Sequence, residues 1–354
     1  MCGFFAAMTH SGIATNRIEH AFRQLKHRGP DGSGLWVSED RRWVMGHSRL
    51  SVVGLSNGRQ PISSADGQVH LVANGEFYDY QKIREKLRAS GVGFVTGSDS
   101  EIALHLYRQY GMQAVSKLEG EFAVLIADQQ QGTMFAIRDR FGIKPLFYSV
   151  VNDDVFFASE IKSLLALGIP AVWDKESVYC ESFWARSSEN TLFSNIYSVP
   201  PGCFAIAKRG RVRIYPYWDW VFPSEMELKR DKRSFAHVRN EFREVFVKSI
   251  NKRLVSDVEV GCYLSGGIDS CAIAGFAQRE LPSSIKAFTI GFEDPAYNEA
   301  AIAQAQAKAI GADHHLLKIT QQDIADAFAQ AVWHAENILP NGNTVAKFLL
   351  SRMV

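Results

Sequence analysis

Val258-Glu259-Val260-Gly261-Cys262-Tyr263-Leu264-Ser265-Gly266-Gly267-Ile268-Asp269-Ser270 decides the fold of the second half of this sequence. Val258–Leu264 is rich in β-branched and aromatic residues and predicts a strand. Two adjacent glycines stop it, and Cys271–Arg279 then predicts a helix. Paired glycines let the backbone turn tightly and bring N–H groups together, and the helix start adds a positive end, a geometry suited to phosphate. Ser265 and Ser270 add hydroxyls, and Asp269 adds a carboxylate able to hold magnesium on a pyrophosphate. A bare Ser-Gly-Gly reads more simply as a strand–helix turn; the complete run behind a strand is the sharper signal.

Working downstream, Ile285–Phe292 and His315–Ile319 read as strands, with Glu299–Ile310 and Asp323–Glu336 as the helices around them. Strands alternating with helices at this pitch predict a parallel, doubly wound α/β domain. His314 and His315 are adjacent on a strand start and face opposite ways, a poor metal pair. Working upstream, a helix opens near Ser234 with Val238, Phe242, Val245 and Phe246 as its apolar stripe, and the polar run Ser224–Arg233 reads as a connection. The expected organisation is therefore a first domain over 1–205, a connecting segment over 206–233 and a second domain over 234–354.

The first domain has a different texture. Ile18, Ala21, Phe22 and Leu25 give Thr15–His27 a helical spacing. A second helix is predicted from Asp79 as N-cap to Gly91, with Ile83 and Leu87 inward, and a third from Ser98 to just before Gly111. Val69–Asn74, Phe122–Asp128, Met134–Arg138 and Val155–Ala158 read as strands. Phe122–Ala127 is apolar at every position, as in a strand covered on both faces. Sheets enclosed by helices follow.

Composition narrows the function. Hydrophobic residues make up 46% and charged residues 22%, and 39 basic residues stand against 38 acidic ones, a net charge of +1 that gives no reason to expect nucleic acid or an anionic membrane as partner. No run of about eighteen apolar residues predicts a transmembrane helix. Cys2, Cys180, Cys203, Cys262 and Cys271 are an odd set without C-x-x-C spacing, so a reducing cytoplasm is the expected setting.

Cys2 directly follows the initiator methionine. Removal of Met1 would leave a thiol and a free α-amine on one residue, and such an amine, with an unperturbed pKa of about 7.7–8.0, can act as base to that thiol. Around it stand Met1-Cys2-Gly3, His27-Arg28-Gly29-Pro30-Asp31, Gly46–Val53, Asn74-Gly75-Glu76, Gly97–Glu101 and Arg138–Tyr148. In that order these segments resemble the class II glutamine amidotransferases, over roughly residues 1–205. The resemblance implies an N-terminal-nucleophile fold, an α-β-β-α sandwich. It also implies roles: Cys2 as nucleophile toward the glutamine amide, the Asn74 side chain and Gly75 N–H as oxyanion hole, Arg49 on the substrate α-carboxylate, and Glu76 and Asp99 on its α-ammonium. Each residue has a plainer reading: Arg49 as a surface ion-pair partner, Asn74-Gly75 as a hairpin turn, Asp99 as a helix first-turn carboxylate.

The Leu264–Ser270 run resembles the pyrophosphate loop of enzymes that make acyl-adenylates, among them the glutamine-hydrolysing asparagine synthetases. By that resemblance Leu264, Ser265, Gly266, Gly267, Asp269 and Ser270 hold ATP, Asp269 meets Mg2+, and Ile290 packs near adenine. The implied substrates are glutamine, ATP and aspartate or another carboxylate acceptor. Family members continue into a second Ser-Gly-Glu-Gly segment and a basic pyrophosphate site absent here, and Thr344–Val354 reads as a helix without a following cap. The second domain is therefore expected to be partial, completed by a partner chain or a longer product, with a homodimer through the first domain also implied. The alternative reading is a glutaminase or amidotransferase subunit that supplies ammonia to another acceptor, a natural product or a surface sugar.

Overall fold

The computed structural model describes residues 1–185 and 187–354. It resolves into two compact units, Met1–Val221 and Phe222–Val354.

In the first unit the strands are β1 (Gly3–Met8), β2 (Gly32–Val37), β3 (Trp43–Arg49), β4 (Ile62–Ser63), β5 (Val69–Phe77), β6 (Gly120–Asp128), β7 (Thr133–Arg138), β8 (Phe147–Val151), β9 (Asp154–Ala158), β10 (Ile196–Ser198), β11 (Cys203–Lys208) and β12 (Arg211–Pro216). They form two six-stranded sheets, in the orders β10-β8-β9-β1-β3-β2 and β12-β11-β7-β6-β5-β4. The helices are α1 (Thr15–Leu25), α2 (Tyr80–Ala89), α3 (Glu101–Tyr110), α4 (Ile161–Leu167) and α5 (Lys175–Ser182).

Period-two alternation sorts the layers. Phe4 and Ala6 of β1 pack between the sheets with Val72, Leu125 and Ala136. Phe5 and Ala7 turn the other way, onto Ile18 and Leu25 of α1 and Leu164 of α4. Phe122, Val124 and Ile126 of β6 cover Leu87, Ile102 and Leu104 of α2 and α3. The result is the expected α-β-β-α sandwich, and β6 is apolar throughout because both of its faces are covered.

The hairpin of β11 and β12 begins at Cys203 and runs on into the segment 206–233 read from sequence as a connection; it completes the second sheet beside β7. The run Ser224–Arg233 is not wholly irregular either. It holds α6 (Glu225–Arg230), exposed and closed by a Ser224–Glu227 capping box. Asp79 precedes α2 but does not cap it: its backbone is left-handed, φ 53°, and its carboxylate accepts from Lys82 at 2.9 Å.

The second unit contains α7 (Phe235–Arg253), β13 (Gly261–Tyr263), α8 (Ile268–Glu280), β14 (Lys286–Phe292), α9 (Ala300–Ile310), β15 (Asp313–Ile319), α10 (Gln321–Ala335) and α11 (Gly342–Met353). Its three-stranded sheet runs β13-β14-β15, all parallel. Ala287 of β14 packs with Leu264, Ala274 and Ala303 on one face, while Ile290 and Phe292 meet Ala327, Val345 and Leu349 of α10 and α11 on the other. Both faces are covered, as in a doubly wound sheet. Two expectations fall short here. The strand predicted over Val258–Leu264 is regular only over Gly261–Tyr263, with Val258 exposed. The α7 stripe is largely exposed: Phe242 at 67% and Val245 at 60% lie open, and packing begins only at Phe246 and Ile250, where α8 approaches. Among the described residues no helix is long and apolar enough to cross a membrane.

Candidate active site

Residue 2 sits at the start of β1, a strand central to the first sheet, beside the loop that leaves β3. The Cys2 thiol donates to the Leu50 carbonyl at 3.4 Å and accepts from the Leu50 N–H at 3.3 Å. Burial pushes the thiol pKa up; the Leu50 N–H, the chain's amino group and Arg49 oppose that, and Asp99 adds to it. The α-amine of Met1 is pushed down, first by burial and then by the charge of Arg28. Thiol and amine are thus both held toward their neutral forms.

Asn74 and Gly75 lie in the middle of β5, opposite Ala123 and Phe122 of β6, and not at a hairpin turn. Gly75 has φ +145°, and a Cβ there would stand 2.0 Å from the Glu121 carbonyl, so only glycine fits. Asn74 is buried. In the amide orientation that satisfies both neighbours, its Nδ2 donates to the Cys2 carbonyl at 3.0 Å and its Oδ1 accepts from Arg28 Nη2 at 3.2 Å. One N–H of the amide remains for the cavity, which Asn74 lines.

Arg49 ends β3. Its guanidinium donates to the Val53 carbonyl at 3.1 Å, the Gly54 carbonyl at 2.6 Å and the Leu55 carbonyl at 3.2 Å, which sets the fork against the loop after β3. Asp99, before α3, is 5% exposed. It accepts from the Phe77 N–H at 2.8 Å and from the Ser98 and Ser100 hydroxyls at 3.3 and 3.4 Å. Burial raises its pKa against those donors. Its plainer reading as a first-turn carboxylate does not describe it, since it faces into the molecule.

Cys2, Arg49, Asn74, Gly75, Glu76 and Asp99 line one cavity of about 160 Å³, so every residue singled out for glutamine is brought together. Gln60, Ser98, Ser100 and Lys144 also line it. Sequence reasoning gave these no role, nor Arg28 and Glu160 behind them. Arg28, Ser98, Ser100 and Lys144 stood inside quoted segments, whereas Gln60 and Glu160 carried no signal. Gln60 Oε1 accepts from the Ala73 N–H at 2.6 Å, holding β5 one residue before Asn74.

In the second unit, Leu264 directly follows β13 and is buried, its N–H on the Phe288 carbonyl at 2.9 Å and its carbonyl accepting from Thr289 Oγ1 at 2.7 Å. Gly266 turns the chain at φ +88°. Ser265 and Ser270 hydroxyls meet at 3.0 Å, and Ser270 Oγ also accepts from the Ser265 N–H at 3.2 Å and donates to the Gly267 carbonyl at 3.0 Å. The loop is thus tied to itself at the mouth of α8. Ile290 lies on the adjoining strand, half-buried against α10 and α11. Asp269 is exposed in the first turn of α8, and among the described residues no group of three or more His, Cys, Asp or Glu could hold a metal ion. A lone carboxylate suits Mg2+ that arrives with phosphates, not a resident ion.

The Cys2 thiol, the Asn74 amide, the Arg49 guanidinium and the Glu76 and Asp99 carboxylates thus converge on one cavity of a two-sheet sandwich. The family model described as glutamine amidotransferase domain matches residues 1–218, and that described as asparagine synthase matches residues 241–354. The chain belongs to the glutamine amidotransferases, in the arrangement of the glutamine-hydrolysing asparagine synthetases. It is 35% identical to amidase chry2 of Gibberella zeae, covering 100% of this chain and 56% of that protein. It is 34% identical to asparagine synthetase [glutamine-hydrolyzing] 1 of Bacillus subtilis, covering 99% of this chain and 55% of that protein. The chain thus spans about half the length of the curated relatives it matches. A solved structure titled as the allosteric regulatory enzyme of purine biosynthesis shares the fold, with TM-score 0.50, 18% identity, and coverage of 90% of this chain and 80% of that one.

Proposed function

We propose that the first unit hydrolyses the side-chain amide of glutamine at Cys2, and that the ammonia serves an amide-forming reaction of the asparagine synthetase type. The observation that carries this reading is the Cys2 thiol opening onto the same cavity as Arg49, Asn74 and Asp99. With Met1 removed, the α-amine of Cys2 takes the thiol proton, and the thiolate attacks the amide carbon. The oxygen of the tetrahedral intermediate gains charge and meets the Asn74 amide and the Gly75 N–H. Collapse returns the proton to the leaving nitrogen, releases ammonia and leaves a glutamyl thioester. Water then hydrolyses the thioester to glutamate and restores the thiol. Arg49 takes the α-carboxylate, where its planar fork suits two oxygens, while Asp99 and Glu76 take the α-ammonium. The incoming cation also offsets the Asp99 charge that opposes thiolate formation. Alkylation of Cys2 by iodoacetamide, followed by peptide mass, tests this: glutamine should protect the thiol, and unchanged labelling at saturating glutamine would sink the reading.

For the second unit we propose ATP as substrate at Leu264–Ser270, with the N–H groups of the loop and the start of α8 toward the phosphates, Ile290 toward adenine and Asp269 toward accompanying Mg2+. Aspartate as acceptor would give an aspartyl-adenylate, then asparagine, AMP and pyrophosphate. The relatives named amidases, at 35% and 36% identity, favour a second reading with another carboxylate as acceptor. AMP formation with aspartate against a panel of carboxylic acids separates the two. A reducing cytoplasm suits a free nucleophilic thiol, and a partner chain or second copy remains part of the proposal.

A further inference from the structure

Behind the cavity lies a buried ionic cluster that the reaction scheme above does not use. Glu160, at the N-cap position of α4, is 5% exposed and surrounded by cations. Its Oε1 accepts from Arg28 Nη1 at 2.9 Å and meets His27 Nε2 at 3.0 Å; its Oε2 accepts from Lys162 at 2.7 Å. Burial alone would raise this carboxyl; the His27 hydrogen bond and the Lys162 and Arg28 charges overcome it and hold the pKa at about 2. Glu160 is therefore an anion around neutral pH.

Arg28 carries that anchor to the site. Its Nη1 is held by Glu160, which leaves Nε to donate to the Cys2 carbonyl at 2.8 Å and Nη2 to donate to Asn74 Oδ1 at 3.2 Å. The guanidinium is planar, so fixing one nitrogen fixes the directions of the other two. One carboxylate thereby sets the backbone that bears the thiol and the amide whose N–H faces the cavity. Arg49 and Asp99 draw on other partners, the carbonyls at 53–55 and the groups at 77, 98 and 100.

We infer that Glu160 is a positioning residue for glutamine hydrolysis: through Arg28 it aligns the Cys2 backbone with the Asn74 amide, while substrate binding is anchored elsewhere. The inference rests on the glutaminase reading. It predicts a split in kinetics that a purely structural carboxylate would not give.

Steady-state glutamate release by the full chain, with thermal melting of each variant, tests it. Glu160→Gln should lower kcat on the order of tenfold to a hundredfold, the scale of misplaced reacting groups, with KM for glutamine within about twofold of wild type. Lys162→Met removes a cation from the same cluster but leaves Arg28 on Glu160; it should lower the melting temperature and keep kcat near wild type. Wild-type kcat in Glu160→Gln, or an equal loss in Lys162→Met, overturns the inference. If the glutamine variant does not fold, Glu160→Asp decides, since it keeps the charge and withdraws it from Arg28 by one methylene. A tenfold fall in its kcat supports the inference, and wild-type kcat overturns it. A wild-type chain that releases no glutamate overturns the glutaminase reading itself, an outcome distinct from active wild type with an indifferent Glu160.

Discussion

The two candidate sites of this chain are built in opposite ways. Around Cys2 the polar groups are buried and hold one another across distant parts of the sequence: Asn74, Asp99, Arg28 and Glu160 are each less than a tenth exposed. Around Ser265–Ser270 the polar groups are mostly open and hold only their neighbours, with Ser265 and Ser270 satisfying each other inside one turn. A site that must stabilise a developing charge gains from donors fixed before substrate arrives. A phosphate loop needs only backbone N–H groups, which glycine and a helix start supply locally. Damage should therefore spread through the first site and stay local in the second.

Gly75→Ala should break the first site most severely. The added methyl group collides with the Glu121 carbonyl, displaces β5 and moves the N–H proposed as an oxyanion donor. A loss of about a hundredfold to a thousandfold in kcat is expected in a glutamate-release assay, with destabilisation of about 2–3 kcal/mol seen in denaturant unfolding. Asp99→Asn should keep the hydrogen bond from Phe77 N–H and remove the charge proposed to meet the substrate ammonium. We expect a fall on the order of a hundredfold in kcat/KM, carried chiefly by KM.

Acid should also separate the units. Glu160 and Glu101 both sit at about 2 in the fold, against 4.5 for the free side chain. Burial would raise Glu101; its bonds from His105, Thr96 and the Val95 N–H lower it. A depressed carboxyl stabilises the fold fully above the unfolded value, and that contribution is lost as pH falls from about 4.5 through about 2. Asp99, raised by burial, works in the opposite sense: its contribution is full below its unfolded value and is lost as pH rises through its folded one. Circular dichroism over this range should show first-unit structure melting with a slope that Glu160→Gln reduces. An unchanged slope would contradict the assignment. The smallest effect is expected from Ser270→Ala. It removes the hydroxyl that ties the loop, costing about 1 kcal/mol in the second unit, and should leave glutamate release within about twofold of wild type.

The same contrast decides what could be read from sequence. Local features were legible. The periodicity of Thr15–His27 marked α1, the unbroken apolar run at 122–127 marked a doubly covered β6, and the Ser-Gly-Gly turn marked the start of α8. The resemblance to glutamine amidotransferases picked out Cys2, Arg49, Asn74, Gly75, Glu76 and Asp99, which the fold then gathers into one cavity. What escaped depends on partners far along the chain. β3 carries Gly46, His47 and Ser48, poor strand formers by composition; His47 is nevertheless fully buried, its Nε2 on the Ala73 carbonyl at 3.0 Å. Glu160 looks like any charged residue before a helix, because its meaning comes from Arg28, 132 residues away. The α7 stripe erred in the other direction. Its periodicity is helical, yet most of it is left uncovered, since periodicity reports a face and not what covers it.

Glutamate release from glutamine by the full chain, beside a Cys2→Ala variant and in the absence of ATP, tests the central claim most directly. The account predicts glutamate from the wild type, none from the variant, and the same melting temperature for both. Release that persists without the Cys2 thiol, or its absence from a folded wild type, would contradict it.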